Sequence, residues 1–291
     1  MTLDLLTARL LAARPTLDPR CHIARPDVVD IALANQVAAA RYVEPLAMRC
    51  TVPRTAMRGA GNAAATAVSE LLMGEAFDLF DIDGDWALGR SAADRYTGWV
   101  LASALAEPGA APNHRITSRV APVFAAADIK APVLAELPFG ALAAGSVDGV
   151  FLAIEGGGHI HTRHIAPLPA DPLALARLFI GAPYLWGGRT PDGVDCSGLV
   201  QAALAACGIA APRDSDQQRD QLGVPIDYER RGRGDIIFFP GHVGILSDAH
   251  TLLHANAHWM ATLEEPLVDV IARLVAAKVE QPVTGVRRIK F

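Results

Sequence analysis

The 291-residue chain sets 26 Lys+Arg against 31 Asp+Glu, a formal net charge of −5, and just over half of it is apolar. That is enough for a packed core, which excludes wholesale disorder, and no basic block is present of the kind a nucleic-acid or membrane partner requires. Four cysteines without Cys-x-x-Cys spacing argue against a zinc knuckle or redox pair, and no run approaches the roughly 20 apolar residues of a membrane span.

The first residues, Met-Thr-Leu-Asp-Leu-Leu-Thr-Ala-Arg, lack a basic stretch followed by an apolar one, so the expectation is a soluble cytoplasmic protein with reduced thiols. The length favours two or three domains. Residues 1–45 read as an alanine-rich helical segment broken by Pro15, Pro19 and Pro26, a brace without chemistry of its own.

From Cys50 the pattern turns to short β-type runs punctuated by Gly and Asp, and it repeats. Glu70-Leu-Leu-Met-Gly74 matches Glu136-Leu-Pro-Phe-Gly140, and Asp83-Gly-Asp-Trp86 matches Asp148-Gly-Val-Phe151. Tyr96-Thr-Gly-Trp-Val100 likewise matches His161-Thr-Arg-His-Ile165. All three pairs are about 65 residues apart, which predicts two tandem copies of one small β unit, 46–108 and 112–168. The plan resembles bacterial SH3-like domains, the second copy being the more degenerate.

The last unit, 170–291, mixes helix and strand, an α+β pattern. Helices are expected at 171–181 and 196–207, and strands at Asp235–Phe239, His242–Leu246, Thr251–Ala255 and Val283–Ile289. Cys196 follows a Gly/Pro/Asp-rich turn and opens the second helix, where the macrodipole favours a thiolate. Leu199, Val200, Ala203, Leu204 and Cys207 form one stripe with Cys196, which turns the thiol inward. His242 and His254 lie symmetrically about Asp248. Paired across that turn they become direct cross-strand neighbours, with Cβ atoms about 4.5–5.5 Å apart. Thiol, base and a group to orient the base are the parts of nucleophilic acyl transfer.

His254 with His258, and the cluster His159, His161 and His164, are metal-ligand candidates by residue type, but no Cys or carboxylate completes a set. No metal and no cofactor is expected. Gly156-Gly-Gly158 lacks the context of a phosphate loop and reads as a turn.

Pro-Tyr-Leu-Trp-Gly-Gly, Asp-Cys-Ser-Gly-Leu-Val, Pro-Arg-Asp-Ser-Asp-Gln-Gln, Gly-Asp-Ile-Ile-Phe-Phe, His-Val-Gly-Ile and Leu-His-Ala, in this order, resemble the NlpC-type cysteine peptidases. The resemblance implies a papain-like α+β domain behind two small SH3-like barrels, hydrolysing the γ-D-Glu–diamino acid bond of peptidoglycan stem peptides. It implies Cys196 as nucleophile, His242 as general base and His254 as orienting residue, with the oxyanion against the Cys196 N–H.

With its two SH3-like copies the chain looks like members that process free muropeptides bearing an unblocked N-terminal L-Ala. Glu75, Tyr96, Tyr184, Asp195, Ser197, Asp214 and Ser215 are the substrate-binding positions this suggests, with a carboxylate for the ammonium. Asp195 is equally a helix N-cap, and Glu75 equally a solvated surface charge. The short Phe239-Pro-Gly-His242 link, Leu246 in place of an aromatic residue, and Asp-Arg-Tyr in place of a glycine before the tyrosine depart from the pattern. A wall-peptide-binding module with an idle core, or an amidase or acyltransferase on the same core, are the alternatives.

Overall fold

The computed structural model describes residues 17–290. The helical expectation for residues 1–16 lies outside them. Residues 17–45 hold no α-helix, only the short strands Val29–Asp30 and Tyr42–Val43 and a single 3-10 turn, Ile31–Leu33. Pro19 and Pro26 withhold backbone donors, and side-chain bonds join the Thr97 N–H to Arg20 carbonyl bond in anchoring the segment. Asp30 forms a buried pair with Arg90 of the first sheet at 2.9 Å, and Thr97 Oγ1 donates to the Pro19 carbonyl.

The first sheet runs in the order Ala67–Leu72, Arg54–Arg58, Thr97–Leu101, Trp86–Ser91, Ala76–Asp83, Leu46–Cys50, Leu105–Ala106. The second runs Val133–Pro138, Val120–Phe124, His159–His161, Phe151–Ile154, Gly145–Asp148. Both ladders end in free edges, so the expected barrels are open sheets. Their shared plan is visible at the hairpins. Asp83 pairs with Trp86 and Asp148 with Phe151 across two-residue turns whose glycines, Gly84 and Gly149, take positive φ. The copies dock where Leu142 N–H donates to the Met73 carbonyl at 2.8 Å. A Cβ on Gly74 would lie 2.4 Å from the Leu142 oxygen, so that junction admits only glycine.

The third unit is a six-stranded antiparallel sheet in the order Val224–Pro225, Gly285–Arg288, Ile236–Phe239, His242–Leu246, Thr251–Asn256, Ala261–Pro266. Ile236 and Phe238 face one side with the helix Cys196–Ala206; Ile237 and Phe239 face the other with the helix Leu267–Ala276. Burial on both faces explains the unbroken Ile-Ile-Phe-Phe run. Leu199, Val200, Ala203 and Leu204 are fully buried on the sheet, each leucine contributing roughly 1.5–3 kcal/mol. Cys207, at the C-cap, is only half-buried.

The first expected helix is shorter than predicted. Pro172–Ala176 continues as the 3-10 turn Arg177–Phe179 before Gly181 at positive φ. The strand Ala261–Pro266 and the helices Ser215–Gln221 and Leu267–Ala276 are elements the residue pattern did not announce.

Candidate active site

Cys196 is the first residue of its helix and 6% exposed. Asp195 caps that helix: Oδ1 accepts from the Gly198 N–H at 2.7 Å and Oδ2 from the Gly187 N–H at 2.9 Å. The same carboxylate forms a buried bidentate pair with Arg213, at 3.0 and 2.6 Å. Asp195 is therefore the cap that the sequence held open as its second role, and no oxygen of it is left for an ammonium.

The histidines meet, but not as direct partners. The hairpin pairs Ile245 with Leu253 and Leu246 with Leu252, so it is centred on Ala249 rather than on Asp248. This register sets Gly244 opposite His254 and makes His242 its diagonal neighbour. A shift of one residue would have turned His254 to the other face; a shift of two keeps the face. The two rings lie 5.0 Å apart between centroids, with His242 Nε2 2.8 Å from His254 Nδ1. Gly244 makes this possible, because a Cβ there would stand 3.0 Å from that of His254.

Cross-strand ladder pairing lapses beyond Ile245 and Leu253, toward the end of the strand that carries His242. The helix that begins at Cys196 packs on the strand that begins at His242, with Cys196 and Val243 in one buried core.

A residue that the sequence reading missed completes the line. Glu265 Oε1 lies 2.8 Å from His254 Nε2, and its carboxylate also accepts from Arg273 and from Trp259 Nε1. An ionised carboxylate only accepts, so His254 Nε2 carries a proton and its Nδ1 accepts. His242 Nε2–H must then donate to that Nδ1, which leaves His242 Nδ1 with a lone pair, the form a base toward Cys196 requires.

The electrostatics differ from the thiolate expected at a helix start. Burial pushes the Cys196 thiol up to about 12 and Asp195 adds to the shift, against the Val243 N–H and Arg213. Burial likewise takes the His242 imidazole down to about 3, with His254 contributing. At neutral pH the pair is thiol and imidazole, both neutral, so the proton moves as the thiol attacks.

Cys196 opens onto a cleft of about 250 Å³ lined also by Tyr96, Trp186, Asp195, Ser197, Asp214 and Ser215. Tyr96 Oη donates to Asp214 Oδ2 at 3.0 Å. Tyr184 packs against the core that holds Cys196, and burial, with the Cys196 and Asp195 charges next, raises its phenol above its ordinary value. Glu75 is elsewhere. Its carboxylate receives both terminal nitrogens of Arg189 at 3.0 Å and the Leu72 N–H, in a buried joint between the first sheet and the third unit. The substrate role is thus corrected, and so is the alternative of a solvated surface charge.

The N-terminal segment, expected to carry no chemistry, supplies Arg20. Its guanidinium binds Asp214 at 2.7 Å, Asp216 at 2.9 Å and Asp18 at 2.8 Å.

Residues 181–271 match the NlpC/P60 family, and residues 57–105 match the bacterial dipeptidyl-peptidase Sh3 domain. A gamma-D-glutamyl-L-lysine dipeptidyl-peptidase of Bacillus cereus is 35% identical over 100 residues, 34% of this chain and 30% of that one. Dipeptidyl-peptidase 6 of Lysinibacillus sphaericus is 35% identical over 99 residues, 33% of this chain and 35% of the relative. The matched segment thus spans about a third of these relatives' own length. A crystal structure of an NlpC/P60 family protein from Bacillus cereus superimposes with a TM-score of 0.68 at 20% identity, covering 84% of this chain and 99% of the other. The fold is shared.

Proposed function

We propose that this chain, which carries an NlpC/P60 domain behind a bacterial dipeptidyl-peptidase Sh3 domain, is a cysteine peptidase of peptidoglycan stem peptides. Its bond is the amide joining the γ-carboxyl of D-glutamate to diaminopimelate or lysine, in peptides that begin with L-alanine. The observation that carries this reading is the directed line Glu265–His254–His242, which leaves one imidazole lone pair on the strand packed against the helix of the buried Cys196 thiol.

In this mechanism His242 Nδ1 takes the Sγ proton as sulfur attacks the γ-carbonyl carbon. The imidazolium is stabilised through His254 by Glu265. The Cys196 N–H, at the first helical position, has no acceptor within the helix and receives the oxyanion. Collapse breaks the C–N bond, His242 returns its proton to the departing amine, and water attacks the thioester to release the L-Ala-D-Glu dipeptide and free Sγ. An idle binding module has no use for a tautomer-locked base, which favours the enzyme over the wall-binding alternative.

Mass spectrometry after incubation with L-Ala-γ-D-Glu-meso-diaminopimelate, and with its L-lysine counterpart, tests the reading. L-Ala-D-Glu should appear from at least one peptide with the wild type and not with Cys196→Ala. Glu265→Gln should lower kcat by about a hundredfold, as a weakened orienting partner does. A folded wild type that cuts neither peptide would overturn the proposal.

A further inference from the structure

Arg20 stands where the cleft ends. Its Nε and Nη2 bond Asp18, its Nη1 bonds Asp214 and Asp216, and Nη2 reaches Asp216 as well. Every N–H of the guanidinium is engaged, so the group is held as a fixed, planar block. Three carboxylates around one guanidinium leave this end of the cleft at a net charge of −2, which attracts a cation. Arg20 Nη1 and the Tyr96 hydroxyl both take Asp214 Oδ2, while Asp214 Oδ1 has no partner among the described residues.

Beyond this block the space does not stop. A second cavity of about 470 Å³, lined by Ile23, Leu88, Thr97 and Trp99 among others, shares Arg20, Val68 and Tyr96 with the catalytic cleft. Arg20 therefore lies between a cleft that fits a short peptide and a room that would fit a substituent on its amine.

We infer that Arg20 is a specificity-determining residue: it walls off the second cavity, and by occupying Asp214 Oδ2 it leaves one carboxylate oxygen for a single ammonium. This rests on the peptidase reading above. A free N-terminal alanine ends at that oxygen with its charge matched. An N-acylated alanine has no charge to offer and its acyl group meets the guanidinium. The segment before the first sheet thus decides that the enzyme removes a dipeptide from an open end and does not cut within a substituted chain.

The test compares L-Ala-γ-D-Glu-meso-diaminopimelate with the same peptide acetylated on its alanine nitrogen. The wild type should prefer the free amine by at least a hundredfold in kcat/KM. Arg20→Ala should cut the acetylated peptide at least tenfold better than the wild type does, while KM for the free-amine peptide rises and kcat holds. Arg20→Met, which fills the space without the hydrogen bonds, should show the rise in KM without the gain. A gain on the acetylated peptide cannot come from structural damage. Equal cleavage of both peptides by the wild type would overturn the inference without any variant, as would a folded Arg20→Ala that cuts the free peptide but gains nothing on the acetylated one. Both outcomes leave the peptidase reading standing, whereas no cleavage of either peptide by the wild type removes the two together.

Discussion

The two β copies share a hairpin plan and differ in what they touch. The first lends Tyr96 and Val68 to the cleft and binds the third unit through Glu70 and Glu75, which together engage Arg189. In the second, the position of Tyr96 holds His161, whose ring packs edge-on against Phe151 and whose Nδ1 accepts from the Arg163 N–H. His164, in the place of Trp99, bonds Ser118 within its own copy. Its contact with the third unit includes the exposed Arg119, which donates to the Leu178 and Ile180 carbonyls. One copy walls the candidate active site; the other has kept the frame and turned its equivalent side chains onto itself.

The largest break in this contrast is expected at Glu75. Glu75→Ala leaves Arg189 buried with its bidentate partner gone, a loss of about 3–5 kcal/mol that urea unfolding reads directly. Arg119→Ala, at the surface joint of the other copy, should stay within about 0.5 kcal/mol. Equal costs would mean that the two copies are held to the third unit alike.

Next comes the acid limb of stability. His242 is held near 3 by burial, and His254 is lowered for the same reason, against about 6.5 for histidine in the unfolded chain. The unfolded state takes up protons first, so stability falls as pH drops from about 6.5 toward 3, by up to about 1.4 kcal/mol per unit for His242, and His254 acts in the same direction. Between pH 6.5 and 5, above the ordinary carboxylate range, His242→Gln should flatten the slope clearly. His164→Gln, at a site in the second copy that is more open to solvent, should flatten it less.

The smallest effect sharpens the comparison most. Tyr96→Phe removes a hydrogen bond to a charged carboxylate and should raise KM about tenfold with kcat unchanged. His161→Phe should leave both constants within twofold. A kinetic response to the second substitution would place the far copy in the active site after all.

What the sequence made legible follows the range of the interaction. Cys196 at a helix start and two histidines on strands are local patterns, and period-two alternation tolerated the misplaced hairpin centre. Glu265 needed the pairing of Ala261–Pro266, whose Thr-Leu-Glu-Glu-Pro run shows no alternating apolar signal, against the strand of His254. Arg20 and Asp214 are 194 residues apart, and nothing in an Asp-Pro-Arg tripeptide points to a partner that distant. Glu75 was misplaced for the same reason: a carboxylate after a turn glycine looks solvated until Arg189, 114 residues later, is folded against it.

The line from His242 also governs where a proton can go. Burial would raise Glu265, but Arg273, Trp259 and His254 outweigh it and keep the carboxylate below its ordinary value. Glu265 therefore remains an anion and does not accept the His254 proton for good. In the proposed reaction a proton taken from Cys196 stops on His242, at the nitrogen that carries the free lone pair. It has no inward drain, so the amine that leaves is the natural recipient, and the buried end of the line acts as a dead end that returns the proton to the chemistry.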